Sequence, residues 1–266
     1  MSDAVLFEVK DSVATVTLNR PDNRNSMTPD VLAGLADAVT RLRADTELRC
    51  AIVTGRGSSF CAGADFKSRS GPGSPPDPDA PHLAPHERSY ATYAPFLSLL
   101  DVEIPVIAAM QGHAIGGGFG LALVCDLRIA NREAKYGSNF VRLGLSPGMA
   151  TTYLLPRLVG LPRALELVLT GRIVTGAQAA ELGLANDAVA PDAVLTRARE
   201  LAHEIATAAP QAVRWTKRLV YAGVGWDPRQ AARAEALYQS RSFETDDFRE
   251  GVAALLGKRE PKFSGR

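Results

Sequence analysis

The stretch from His113 to Asp126, HAIGGGFGLALVCD, sets three consecutive glycines directly in front of an apolar segment long enough to be a buried helix. A chain that must bury such a helix needs a sizeable core around it. With 266 residues it can build one large core or two small ones. The longest apolar runs, Val106 to Met110 and Phe119 to Val124, fall far short of the roughly 20 residues that a membrane span requires. The expected arrangement is one domain with a C-terminal appendage.

Apolar stretches mark strands at Val5 to Val9, Val13 to Leu18, Cys50 to Thr54 and Val106 to Met110. Helices interleave them. Thr28, Pro29 and Asp30 form a start signal, and Val31, Leu32, Leu35, Val39 and Leu42 follow as a helical stripe. This alternation predicts an α/β core with crossover connections. Gly71 to Pro85 holds too much proline and glycine for regular structure and reads as a surface loop, either a linker or a lid. Beyond Pro162 strand signals fade. Pro162 to Thr170, Ala177 to Leu182, Pro191 to Ala208, Gln211 to Ala222 and Arg229 to Leu256 read as consecutive helices.

A formal charge of +1 with 22% charged residues gives no long-range field of one sign, which argues against a nucleic-acid partner. Cys50, Cys61 and Cys125 are odd in number and lack metal-ligand spacing, as expected of free thiols in a reducing compartment. With nothing resembling a signal peptide at the N-terminus, a cytoplasmic location is expected.

Gly116, Gly117 and Gly118 let a ligand approach backbone amides closely, at the positive end of the helix that follows. Such amides stabilise an oxygen that becomes negative during reaction. The same triplet would also serve a hinge for tight packing. A second small-residue turn, SSFCAGADFK from Ser58 to Lys67, follows the strand at Cys50, and two such turns can converge on one oxygen. Neither has the spacing of a phosphate loop or a dinucleotide fingerprint.

Four segments, LNRPDNRNSM (Leu18 to Met27), FCAGADF (Phe60 to Phe66), QGHAIGGG (Gln111 to Gly118) and LGLSPG (Leu143 to Gly148), resemble in order and spacing the enoyl-CoA hydratase/isomerase, or crotonase, superfamily. The resemblance extends to FREGVAALLGKREPKF near the C-terminus. It implies an α/β spiral of β-β-α units over residues 1–195 and a C-terminal helical oligomerisation region over 196–266. Homotrimers or dimers of trimers are the implied assembly. The implied ligand is an acyl-coenzyme A thioester, with no cofactor beyond that coenzyme A and no metal. Its oxygen would rest on the backbone amides of Ala64 and Gly117, which would stabilise an enolate or tetrahedral anion. Coenzyme A and substrate contacts would come from Arg24, Ser26, Ala62, Gly63, Asp65, Phe66, Gly116, Phe140 and Lys258, the last from a neighbouring subunit.

The chain departs from the resemblance where hydratases carry two glutamates, because those positions hold Gly120 and Phe140. Neither side chain transfers a proton or holds a water, so ordinary 2-enoyl-CoA hydration is expected to be weak or absent. His86, Tyr90 and Tyr93 lie at helical spacing and are candidates for a relocated base. An amphipathic helix with tyrosine hydroxyls at the water edge would show the same stripe. His113 and Asp126 read as structural. The readings left open are an enolate-stabilising enzyme, an isomerase, thioesterase or decarboxylase with a relocated base, and a non-catalytic acyl-CoA binding protein.

Overall fold

A computed structural model describes residues 3–65 and 84–266. Phe66 and all of Gly71 to Pro85 except Ala84 and Pro85 lie outside the described residues.

Strands β1 (Val5–Lys10) and β2 (Val13–Leu18) form an antiparallel hairpin pairing Val5 with Leu18 and Lys10 with Val13. Its two connecting residues, Asp11 and Ser12, have φ of 51° and 59°, the left-handed pair that matches a tight turn to the twist of the strands. Helix α1 (Pro29–Ala44) starts where expected, with Thr28 Oγ1 accepting from Val31 N at 3.4 Å. Strands β3 (Cys50–Gly55) and β4 (Ser59–Cys61) follow, then helix α2 (Pro85–Leu97), β5 (Val106–Met110), β6 (His113–Ile115), helix α3 (Gly117–Val124), β7 (Leu127–Asn131) and β8 (Lys135–Gly137). Helices α4 (Thr151–Val159) and α5 (Leu161–Thr170) lead to β9 (Val174–Thr175), α6 (Gly176–Glu181), β10 (Asp187–Val189) and the helices α7 (Val194–Ala206), α8 (Pro210–Gly223), α9 (Pro228–Phe243) and α10 (Asp246–Gly257).

Among the described residues, six strands form one sheet in the order β1-β2-β3-β5-β7-β10, parallel from β2 onward. β3 and β5 are buried at every position, as parallel strands covered on both faces must be. α7 covers one face, where Val194, Ala198 and Ala202 pack on Cys50, Ile52, Ile107, Ala109 and Ile129. The larger core on the other face takes in the apolar stripe of α1 and all of α3 from Phe119 to Val124 apart from its glycine. A second sheet, ordered β4-β6-β8-β9, lies beside α3 and ends at the glycine triplet.

Three expectations need correction. Strands do not end before Pro162, since β9 and β10 lie beyond it; each has at most three residues, too few to show a period, and each is fixed by pairing with a strand already in place. The helix expected at Pro191 begins at Val194, after a single 3₁₀ turn. The long helix expected over Arg229 to Leu256 is two, because Thr245 Oγ1 accepts from Phe248 N at 3.1 Å and starts α10 with Asp246 and Asp247 in its first turn.

α8 is pinned to this core by charge. Lys217 Nζ donates to the carbonyls of Val102 and Ile104 at 2.7 and 2.9 Å and to Asp126 Oδ2 at 2.7 Å. Tyr221 donates to Asp126 Oδ1 at 2.7 Å, and Val106 N donates to Oδ2. Asp126 thus has the partners that a carboxylate at a helix C-terminus needs. No helix among the described residues is long and apolar enough to cross a membrane.

Candidate active site

β6 stops at Ile115 because Gly116 turns the chain with φ 56° and ψ −117°, a conformation that side chains on Cβ disfavour. Gly116 N donates to Gly137 O at 2.9 Å, and Gly120 N closes the first turn of α3 on Gly116 O at 3.1 Å. Gly117 is the first residue of that helix, where an amide N–H has no partner within the helix.

The second turn meets this one closely. Gly63 has φ 84°, and a methyl group placed on it would lie 2.7 Å from Ile115 O and 2.9 Å from Gly117 N. Any side chain at 63 would part the two turns. Met27 bridges to Ala64 and donates its N–H to Gly63 O at 2.8 Å. Neither Ala64 N nor Gly117 N has a backbone hydrogen-bond partner among the described residues. An N–H at a helix start, as Gly117 N is, can receive a developing negative charge.

The turn carrying Met27 is held by Asn25, which sequence reasoning missed. Its amide donates to Arg56 O at 2.9 Å and Ser59 O at 2.8 Å, while its Oδ1 accepts from Arg20 N at 2.8 Å. Its fully buried side chain and φ of 55° fit a residue that tolerates the left-handed region, and the Asn in NRNS was the available signal. Gln111 also grips Ser59 O, at 2.9 Å.

The remaining expected residues divide. Arg24 is exposed, with its carbonyl accepting from Ala62 N at 3.0 Å, and Ser26 is buried with Oγ donating to Asn23 O at 2.7 Å. Ala62, Gly63, Asp65 and Gly116 lie in or beside the two turns. Lys258 is exposed at the end of α10, an element packed on α9. Phe140 is half-buried, with its Cζ 3.9 Å from where a Gly116 methyl would stand. Of the tyrosine stripe, His86 is exposed and Tyr90 is 61% exposed. Tyr93 is half-buried and lays its phenol against Gly148, with its oxygen 2.6 Å from a methyl placed there. His113 is exposed, and its Nδ1 accepts from Lys135 N at 2.9 Å.

Met149 is the other residue the sequence did not point to. It is 1% exposed, and a side chain at Gly120 would overlap its Cβ and come within 2.9 Å of its Cγ. Met149 and Ala150 both adopt positive φ, 59° and 52°, conformations that cost non-glycine residues energy unless packing over-determines them. Burial pushes all three thiols up to about 12, so none supplies a thiolate near neutral pH. No cluster of metal-ligating side chains occurs among the described residues.

An α/β core of β-α units followed by C-terminal helices is the crotonase fold of enoyl-CoA hydratases. The chain belongs to the enoyl-CoA hydratase/isomerase family, whose model matches residues 8–266. It is 37% identical to an (E)-benzylidenesuccinyl-CoA hydratase of Thauera aromatica over 98% of this chain and 99% of the relative. It is 35% identical to a 1,2-epoxyphenylacetyl-CoA isomerase of Escherichia coli, covering both chains completely. The crystal structure of an enoyl-CoA hydratase from Bacillus anthracis superposes with a TM-score of 0.91 at 32% identity, covering 99% of this chain and 100% of that one.

Proposed function

We propose that the protein transforms an acyl-CoA thioester by holding the thioester oxygen on the Ala64 and Gly117 amides and stabilising the enolate that forms. The observation that carries this reading is the close approach of Gly63 to Gly117 N, which brings the turn that holds Ala64 against the start of α3. Donors fixed before reaction stabilise charge that grows in the transition state, and losing one costs about 10²–10³ in rate. Arg24 and Ser26 would receive the coenzyme A phosphates, and Ala62 to Phe66 the adenine and pantetheine. Leu255 and Leu256 are 78% and 79% exposed on α10. That apolar face suits packing between subunits in a trimer, which would also carry Lys258 to a neighbour's ligand.

Gly120 and Phe140 leave no acid at the two positions where hydratases carry one, so hydration of a simple 2-enoyl thioester is at least about a hundredfold below the rate such a pair supports. The half-buried phenol of Tyr93 abuts the LSPG turn and is the group we assign as the relocated base. Relatives named for a hydratase and an isomerase of acyl-CoA thioesters support the substrate class and leave the reaction open. Mass spectrometry after incubation with saturated, 2-enoyl, 3-enoyl and carboxyacyl thioesters tests the reading. Turnover in one class, diminished by Tyr93→Phe, is expected. Rapid hydration of crotonyl-CoA would overturn the argument from Gly120 and Phe140, and tight binding without turnover in any class would make the chain an acyl-CoA carrier.

A further inference from the structure

Arg128 on β7 is a buried cation, 5% exposed. Among the described residues, its hydrogen bonds all end on main-chain carbonyls and none on a carboxylate. Nε donates to Leu184 O at 2.7 Å, Nη1 to Cys125 O at 2.6 Å and Ala122 O at 3.4 Å, and Nη2 to Asp126 O at 3.4 Å. Ala122 lies in the last turn of α3 and Cys125 caps it, so the guanidinium stands at the negative end of the helix whose positive end presents Gly117 N. Asp126 does not cancel this charge, because its carboxylate is paired with Lys217 Nζ at 2.7 Å, both side chains being largely buried. Two cations and one anion leave this end with a net positive charge. A buried guanidinium with no acid of its own is a poor device for stability, which points to a use in the reaction.

We infer that Arg128 is a positioning residue for the reaction at Gly117, raising the positive potential on that amide from the far end of α3. The inference rests on the thioester reading above and adds a group that never touches the ligand. α3 has eight residues, a length of roughly 12 Å. Left bare, the carbonyls at its C-terminus would oppose the stabilisation of an anion at its N-terminus. Arg128 meets those carbonyls with charge of the opposite sign, and the helix between is buried at every residue, where water screens little. A unit charge at roughly 12 Å, across an effective dielectric constant of about 20, changes the rate of a step that builds an anion by about tenfold. Cancelling only the half-charge of the helix end gives about threefold. The substrate carries that charge only as the reaction proceeds, so the gain falls on kcat rather than KM.

The test uses crotonyl-CoA isotopically labelled at the thioester carbonyl carbon. Its carbonyl stretching frequency, read by infrared difference spectroscopy, falls as the field on the bound oxygen rises. Arg128→Met removes the charge and keeps a long apolar stem, whereas Arg128→Lys keeps the charge without the fork. The downshift is expected to shrink in Arg128→Met and to return for the most part in Arg128→Lys. For the thioester class that turns over, kcat should fall about threefold to tenfold in Arg128→Met, with KM changed less than about twofold. Asp126→Asn removes the anion and leaves both cations, so its downshift should grow, a direction that a loosened helix does not produce. Thermal melts identify any variant that fails to fold, and the others then carry the comparison. An unchanged downshift and kcat in folded Arg128→Met, an equal loss in Arg128→Lys, or a smaller downshift in Asp126→Asn overturns the inference and leaves the thioester reading in place. No downshift in the unaltered protein overturns the two together.

Discussion

Restoring a glutamate at position 120 will not by itself restore a hydratase. In Gly120→Glu the new Cβ overlaps that of Met149, and Met149 Cγ lies 2.9 Å away. Met149 cannot swing aside into solvent, being 1% exposed and anchored by a backbone already at φ 59°. Forcing atoms into a filled core costs about 1–3 kcal/mol. For a chain of this size each kcal/mol moves the thermal midpoint by roughly 2–4 °C, so a fall of about 2–12 °C is expected. The new carboxyl also enters a dry site that favours its neutral form. Pairing the change with Met149→Gly removes the overlap and puts glycine where φ is positive, so Gly120→Glu/Met149→Gly should hydrate crotonyl-CoA faster than either single variant. The assay is loss of the enoyl thioester chromophore, with the midpoint followed by circular dichroism. Rapid hydration by Gly120→Glu alone at an unchanged midpoint would refute the claim that Met149 occupies the acid's space.

Lys217→Met leaves Asp126 without its cation in a site where both side chains are largely buried; a loss of about 3–5 kcal/mol, measured by urea unfolding, is expected, and a loss under about 1 kcal/mol would mean the pair does not anchor α8. Gly117→Ala drives a methyl into Met27 Sδ and should lower turnover about 10²–10³-fold, with kcat rather than KM taking most of the change. The hydrogen bond from Arg259 and the Lys262 amide bring Glu250 down from 4.5 to about 2. Because the folded value is the lower one, its stabilisation is present above pH 4.5 and fades as pH falls toward 2, so Glu250→Gln should flatten the acid side of the midpoint–pH curve. With their thiols buried and raised to about 12, Cys50, Cys61 and Cys125 should resist iodoacetamide in the folded protein and react on unfolding; fast labelling of the native chain would contradict the packing around them.

The sequence by itself determined the parts whose signals are local. Continuous apolar runs at Cys50 and Val106 specify parallel strands covered on both faces, Thr28-Pro29-Asp30 specifies the start of α1, and the glycine triplet specifies a bare backbone ahead of a buried helix. Gly120 and Phe140 read as missing acids only through the resemblance, whose motifs fix their register. Tertiary structure decided what depends on contacts between distant segments. β9 and β10 are too short to show a period and exist through their partners. His86, Tyr90 and Tyr93 share a helical spacing, yet only docking of α2 tells which of them leaves solvent, because spacing defines a face and not what covers it. Met149 carries no motif of its own. Its meaning lies in filling the space beside Gly120, and steric exclusion between residues on separate elements is written in the packing rather than along the chain.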